Sequence, residues 1–157
     1  MSADANPRAG VPDGADLGAE AAGTAGAVLQ PAGWPRPKGY VHGVRAQGTL
    51  VFVAGQVGWD ERARFASSEI AGQTERALRN VVAVLAEAGA KPEHVTRMTW
   101  YVTDKRAYLD NQRAIGEAYR AVMGRWFPAM SVVAVAALVE DEALVEIEAT
   151  AVVPGGG

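Results

Sequence analysis

Leu144-Val145-Glu146-Ile147-Glu148-Ala149-Thr150-Ala151-Val152-Val153 (LVEIEATAVV, residues 144–153) alternates with a period of two. Side chains of an extended chain point to opposite faces in turn, so Val145, Ile147, Ala149 and Ala151 share one face. Glu146, Glu148 and Thr150 share the other, with the two carboxylates roughly 7 Å apart by the strand rise. Spacing alone reads this as a half-buried antiparallel strand with a solvated polar face, because most strand glutamates face water. A catalytic role for the pair would need a pocket and a partner, and periodicity supplies neither.

Working outward, the segments around this strand alternate between the two periods. Met130 to Val139 (MSVVAVAALV) reads as the preceding strand, with Glu140-Asp141-Glu142 as a polar hairpin between the two. Leu50 to Val57 (LVFVAGQV) and Val95 to Val102 (VTRMTWYV) read as two further strands. Ile70, Thr74, Ala77, Leu78, Val81, Val82 and Leu85 recur at helical spacing, with Ser67 or Ser68 as N-cap and Gly89 as stop. Tyr108, Ile115, Tyr119, Val122 and Met123 form a second, looser stripe that ends near Gly124. The order β(β)–α–β–α–β–β predicts an α+β domain with two helices covering one face of a mixed sheet. The opposite face must then be solvated or buried by another subunit.

The chain has 157 residues, enough for one domain with a sizeable core. Residues 1–27 are Ala/Gly-rich and hold Val11 and Leu17 as the bulky aliphatics before residue 28. Such a segment buries too little apolar surface to offset its ordering entropy and is expected to be a disordered extension. Residues 28–154 form the predicted domain, opening on a proline-rich lead-in with Pro31, Pro35 and Pro37, and residues 155–157 form a flexible tail. Apolar residues make up 49% and charged residues 21%, with a net charge of −3. There is no cysteine, which excludes disulfides and thiolate chemistry, and only His42 and His94 are available as imidazole ligands. Neither a metal nor another cofactor is therefore expected. No apolar run of about 18 residues is present, and no basic and apolar leader, so a cytoplasmic protein without membrane contact is the expectation.

Several fragments, taken in order, carry a resemblance. Gly39-Tyr40-Val41-His42-Gly43-Val44 and Leu50-Val51-Phe52-Val53-Ala54-Gly55-Gln56 resemble the opening strands of the Rid (YjgF-type) reactive-intermediate deaminases. Gln73-Thr74, Ala77-Leu78 and Asn80-Val81 resemble that family's first helix. Phe127-Pro128-Ala129, Ser131 and Val145-Glu146-Ile147-Glu148-Ala149 resemble its C-terminal signature. The resemblance runs from about Gly39 to Val153. It implies a chorismate-mutase-like fold, a homotrimer with small-molecule pockets between subunits, and hydrolysis of enamines or imines to an oxo acid and ammonia.

The resemblance also implies roles. Glu146 matches the family's catalytic glutamate, which positions or activates water; the alternative is a carboxylate paired or hydrated inside the trimer. Tyr40 matches a pocket tyrosine, and Gln112 joins the pocket. Ala54-Gly55 stands where the family has Ser-Gly, so a hydroxyl is lost and the Gly55 backbone remains. Met130 stands where the family has an arginine that clamps the substrate carboxylate in a bidentate pair. Val132 stands where cysteine is frequent. These changes make the implied pocket more apolar and imply a substrate other than 2-aminoacrylate, or a trimer that binds a small metabolite without catalysis. Arg36, Arg45 or Arg62 are candidates to restore the cation. Trp59 is a candidate lid, and Trp34, Trp100 and Trp126 read as packing residues. Members of the family also carry ribonuclease or translation-inhibitor labels. No basic stripe and no His/Lys pair supports nucleic-acid chemistry here.

Overall fold

A computed structural model describes residues 26–155. Strands β1 (Gly26–Leu29) and β2 (Gly43–Ala46) form a small antiparallel ladder. Strands β3 (Thr49–Val57), β4 (Val95–Val102), β5 (Ala129–Ala134) and β6 (Val145–Val153) form the main sheet, in the order β3-β6-β4-β5. β6 runs antiparallel to both neighbours, and β4 pairs with β5 in parallel. Helices α1 (Ile70–Glu87), α2 (Lys105–Asp110) and α3 (Gln112–Met123) complete the α+β fold.

The alternation in residues 145–151 decides the layering as expected. Val145, Ile147, Ala149 and Ala151 are buried, while Glu146, Glu148 and Thr150 are half-buried on the other side. The buried row meets Leu78, Val81 and Leu85 of α1 together with Met98 and Trp100 of β4 in one core cluster. A fully buried amide ties the helix layer to the sheet. Gln73 on α1 donates to the carbonyls of Ser67 (3.0 Å) and Glu142 (2.8 Å) and accepts from the Leu144 N–H (2.8 Å).

Several expectations are corrected. Residues 140–142 do not make a hairpin, because β4 lies between β5 and β6. The chain instead passes over the end of β4. The Val135 N–H donates to the Val102 carbonyl (2.9 Å), and the Thr103 N–H donates to that of Leu144 (3.2 Å). The strand begun at Met130 stops at Ala134, since β4, its ladder partner, ends at Val102. Val139, read as strand, is 94% exposed.

The second helical stripe is two helices joined at Asn111, the first capped by Asp104, which accepts from the N–H groups of Arg106 and Ala107. Neither Ser67 nor Ser68 caps α1. Ser67 accepts from the Glu69 N–H in the turn before it. Gly89 and Gly124 do end their helices, at φ +66° and +65°. Gly26 and Ala27, read as the end of the extension, belong to β1. Residues 1–25 and 156–157, read as extension and tail, lie outside the described residues.

Replacing Gln73 with leucine strands one buried donor and two acceptors. Gln73→Leu is expected to lower stability by about 3 kcal/mol, read as a reduced urea midpoint. An unchanged midpoint would mean that the three bonds give no net stabilisation.

Candidate functional site

The parallel β4–β5 pair requires a crossover, and α2 and α3 supply it. Between this crossover and β5 lies a cavity of about 550 Å³, a volume in the range of small-molecule sites. Tyr40, Gln112, Met130 and Val132 all line it. Met130 and Val132 register beside Met98 and Trp100 and so share the helix-covered side of the sheet. Tyr40 is brought to them by an irregular segment: Gly39 adopts φ +76°, and the Val41 N–H donates to the Pro128 carbonyl (3.2 Å). A single parallel bridge then aligns Val41 with Ala129.

Aromatic packing builds the floor. Tyr119 stacks on Phe127 with ring centroids 5.4 Å apart and lies 6.2 Å from Trp100. The Tyr119 hydroxyl donates to the Trp126 carbonyl (2.6 Å), and the Trp126 indole donates to that of Val95 (2.7 Å). Burial pushes the Tyr119 hydroxyl far above its ordinary titration range. Trp100 buries an indole N–H that has no acceptor among the described residues. Gly116, in the interior of α3, also borders the cavity. A glycine there is less favourable to helix than alanine by about 1 kcal/mol.

Ala54, Gly55 and Glu146 do not line this cavity. They lie at the uncovered face, where Glu146 is half-buried and registers beside Val57 and Tyr101. Ala54 and Gly55 sit where the β3 register shifts between Val53 and Gln56, a β-bulge. A Cβ on Gly55 would collide with the Glu146 carboxylate, so glycine is what lets the two approach. Glu148 is occupied differently. It accepts from the Tyr101 hydroxyl (3.1 Å), and that bond, more than burial or charge, raises the titration of Tyr101.

Within one chain Arg36, Arg45 and Arg62 do not line the cavity, whereas Lys38, Lys105 and Arg120 do. Trp59 is no lid: it packs on Phe65 (6.1 Å), and its carbonyl accepts from Arg76 and Asn80. Trp34 is 59% exposed rather than packed in the core. His42 sits against Trp34 and Tyr40, and His94 accepts from the Lys91 N–H, both structural roles. Among the described residues no group of three His, Asp or Glu side chains is placed to hold a metal ion. No described helix is long and apolar enough to cross a membrane.

Residues 35–153 match the family described as Endoribonuclease L-PSP. The chain belongs to that family. A RutC family protein of Pyrococcus abyssi is 35% identical over 118 residues, 74% of this chain and 89% of the relative. A 2-iminobutanoate/2-iminopropanoate deaminase of Salmonella typhimurium is 34% identical over 113 residues, 72% of this chain and 86% of the relative. A conserved Rid family protein from Yersinia pestis superposes with a TM-score of 0.73 at 31% identity, covering 82% of this chain and 99% of that one. The YjgF-type fold expected from the fragments is therefore the fold of this chain.

Tyr119 links the cavity to pH. Its folded titration lies above the ordinary value of 10.0, so its neutral form is favoured by folding. The linked stability is intact below pH 10 and declines as pH rises beyond it. Melting temperature is expected to fall steeply above about pH 10, and Tyr119→Phe to flatten that fall. Parallel pH profiles for the two proteins would assign the alkaline loss to other groups.

Proposed function

We propose that this protein hydrolyses an enamine or imine to the oxo compound and ammonia, in a pocket completed by a second copy of the chain. The observation that carries the reading is the half-buried Glu146 carboxylate against the Gly55 backbone on the uncovered sheet face. A relative named as an iminobutanoate/iminopropanoate deaminase supports the reaction class. In this chain the cavity holding Tyr40, Gln112, Met130 and Val132 opens on one side of the sheet, and Ala54, Gly55 and Glu146 lie on the other. Only a neighbouring subunit can set one group against the other. The uncovered face offers surface for that contact, since Phe52 is 74% and Leu50 57% exposed. A closed homotrimer satisfies both demands.

The chemistry needs little beyond a placed water. An enamine first takes a proton at carbon to become the iminium cation. Glu146 then accepts a proton from water as the oxygen bonds to the iminium carbon, giving a neutral carbinolamine. Passing that proton to nitrogen lets the C–N bond break, so that ammonia leaves as the C=O bond forms and the hydroxyl proton returns to the Glu146 carboxylate or to water. The neutral lining at Met130 and Val132 favours a substrate with a larger apolar group than 2-aminoacrylate carries.

Ammonia release can be followed from 2-aminoacrylate, made in situ by a serine dehydratase, and from imines made by an amino-acid oxidase on leucine or phenylalanine. The bulky imines are expected to be hydrolysed faster than 2-aminoacrylate, Glu146→Gln to lose about 10²–10⁴-fold, and Met130→Arg to gain on 2-aminoacrylate. No acceleration with any imine, in a protein that sediments as a trimer, would leave metabolite binding without catalysis.

A further inference from the structure

We propose that Arg120 is the anion anchor of the cavity, and that the ligand it selects is a carboxylate carrying a bulky aromatic or branched apolar group. The proposal rests on reading the cavity as a ligand site and names what that site discriminates.

Charge is the first observation. The chain as a whole is acidic, with 18 carboxylate side chains against 15 basic ones. The cavity wall inverts this balance, for it includes Lys38, Lys105 and Arg120 and no Asp or Glu. A concave, mostly apolar wall with one sign of charge concentrates ions of the other sign.

Arg120 stands apart from the other arginines on the helices. Arg76, Arg79, Arg106 and Arg113 each pair with a described carboxylate, at 3.0, 2.7, 3.8 and 3.1 Å. Arg120 is half-buried in the last turn of α3 and pairs with none among the described residues. A partly desolvated guanidinium without a counter-charge is unfavourable until an anion meets it, and its planar fork suits a carboxylate. Lys105, exposed at the other helix, is a rim charge by comparison.

The space beside Arg120 is the second observation. Side chains on a helix lean toward its N-terminus, so Arg120 overlies position 116 one turn earlier. That position is Gly116, which lines the cavity together with Arg120 and has no side chain to occupy the space there. On the facing sheet, the buried face of Trp100 borders the same cavity. Phe127, Met130 and Val132 contribute an apolar stretch to the wall. Anchor and apolar wall together define an amphipathic acid.

The test compares 3-phenylpropanoate with its neutral isostere 3-phenylpropanamide, by calorimetric titration of the full-length protein. The acid is expected to bind at least about tenfold more tightly. Arg120→Gln is expected to erase that preference while leaving amide affinity within about threefold, and Arg120→Lys to keep part of it. Gly116→Leu is expected to weaken both probes by about tenfold or more with the helix retained by circular dichroism, because leucine favours helix over glycine. A preference that survives Arg120→Gln overturns the anchor. So does equal binding of acid and amide; if Gly116→Leu removes that binding, the cavity still stands as a ligand site. Binding of neither probe overturns both. The deaminase reading is measured separately, by the loss of ammonia release in Glu146→Gln.

Discussion

The parallel pairing of β4 with β5 is the constraint on which the rest of the architecture depends. Parallel neighbours cannot be joined by a tight turn, so the chain must leave the sheet, cross a face and return. Here the return path is α2 and α3, and α3 packs beside α1, the helix that covers the apolar row of β6. Because α2 and α3 arch from the end of β4 back to the start of β5, they enclose volume against the edge of the sheet. The cavity is the space beneath that arch. Its aromatic floor of Trp100, Tyr119 and Phe127 comes from the strand, the helix and the turn that the crossover links.

The central strand β6 divides the chemistry. Its even-numbered glutamates stay on the uncovered face because its odd-numbered apolar residues occupy the core, and a one-residue slip would exchange them. Glu146 and Glu148, alike in sequence spacing, end in different surroundings. Glu148 is engaged by the Tyr101 hydroxyl, while Glu146 lies against a bulge whose glycine has no side chain to displace it. The bulge in β3, not the alternation in β6, separates their surroundings.

Much of this was legible in residues with strict periodicity. The rows in residues 145–151 and 70–85 placed the core strand, the first helix and the covered face, and the ordered fragments named the family. Tyr40, Gln112, Met130 and Val132 do converge on one cavity. What failed depended on partners distant in sequence. Residues 135–139 have the composition of a strand but no ladder to join once β4 ends at Val102. Consecutive strands suggested a hairpin, although β4 takes the position between β5 and β6. Asn111 breaks a stripe that looks continuous, and β1 is too short and too rich in small residues to stand out from the segment before it. Arg120 was missed because it reads as an ordinary basic residue near a helix end. The usable signal was Gly116, a helix-interior glycine one turn before a cation.

The cavity wall is assembled from elements that are separate in the chain. Met130 and Val132 come from an edge strand with a ladder partner on one side only, and Arg120 from the outermost turn of a helix. A substitution in the strand changes width and polarity with little effect on the helix. A change in the last turn of α3 alters charge without moving the sheet. Size and charge can thus drift independently in the course of evolution, so one scaffold can be retuned to different ligands by single replacements, with no intermediate that must unfold.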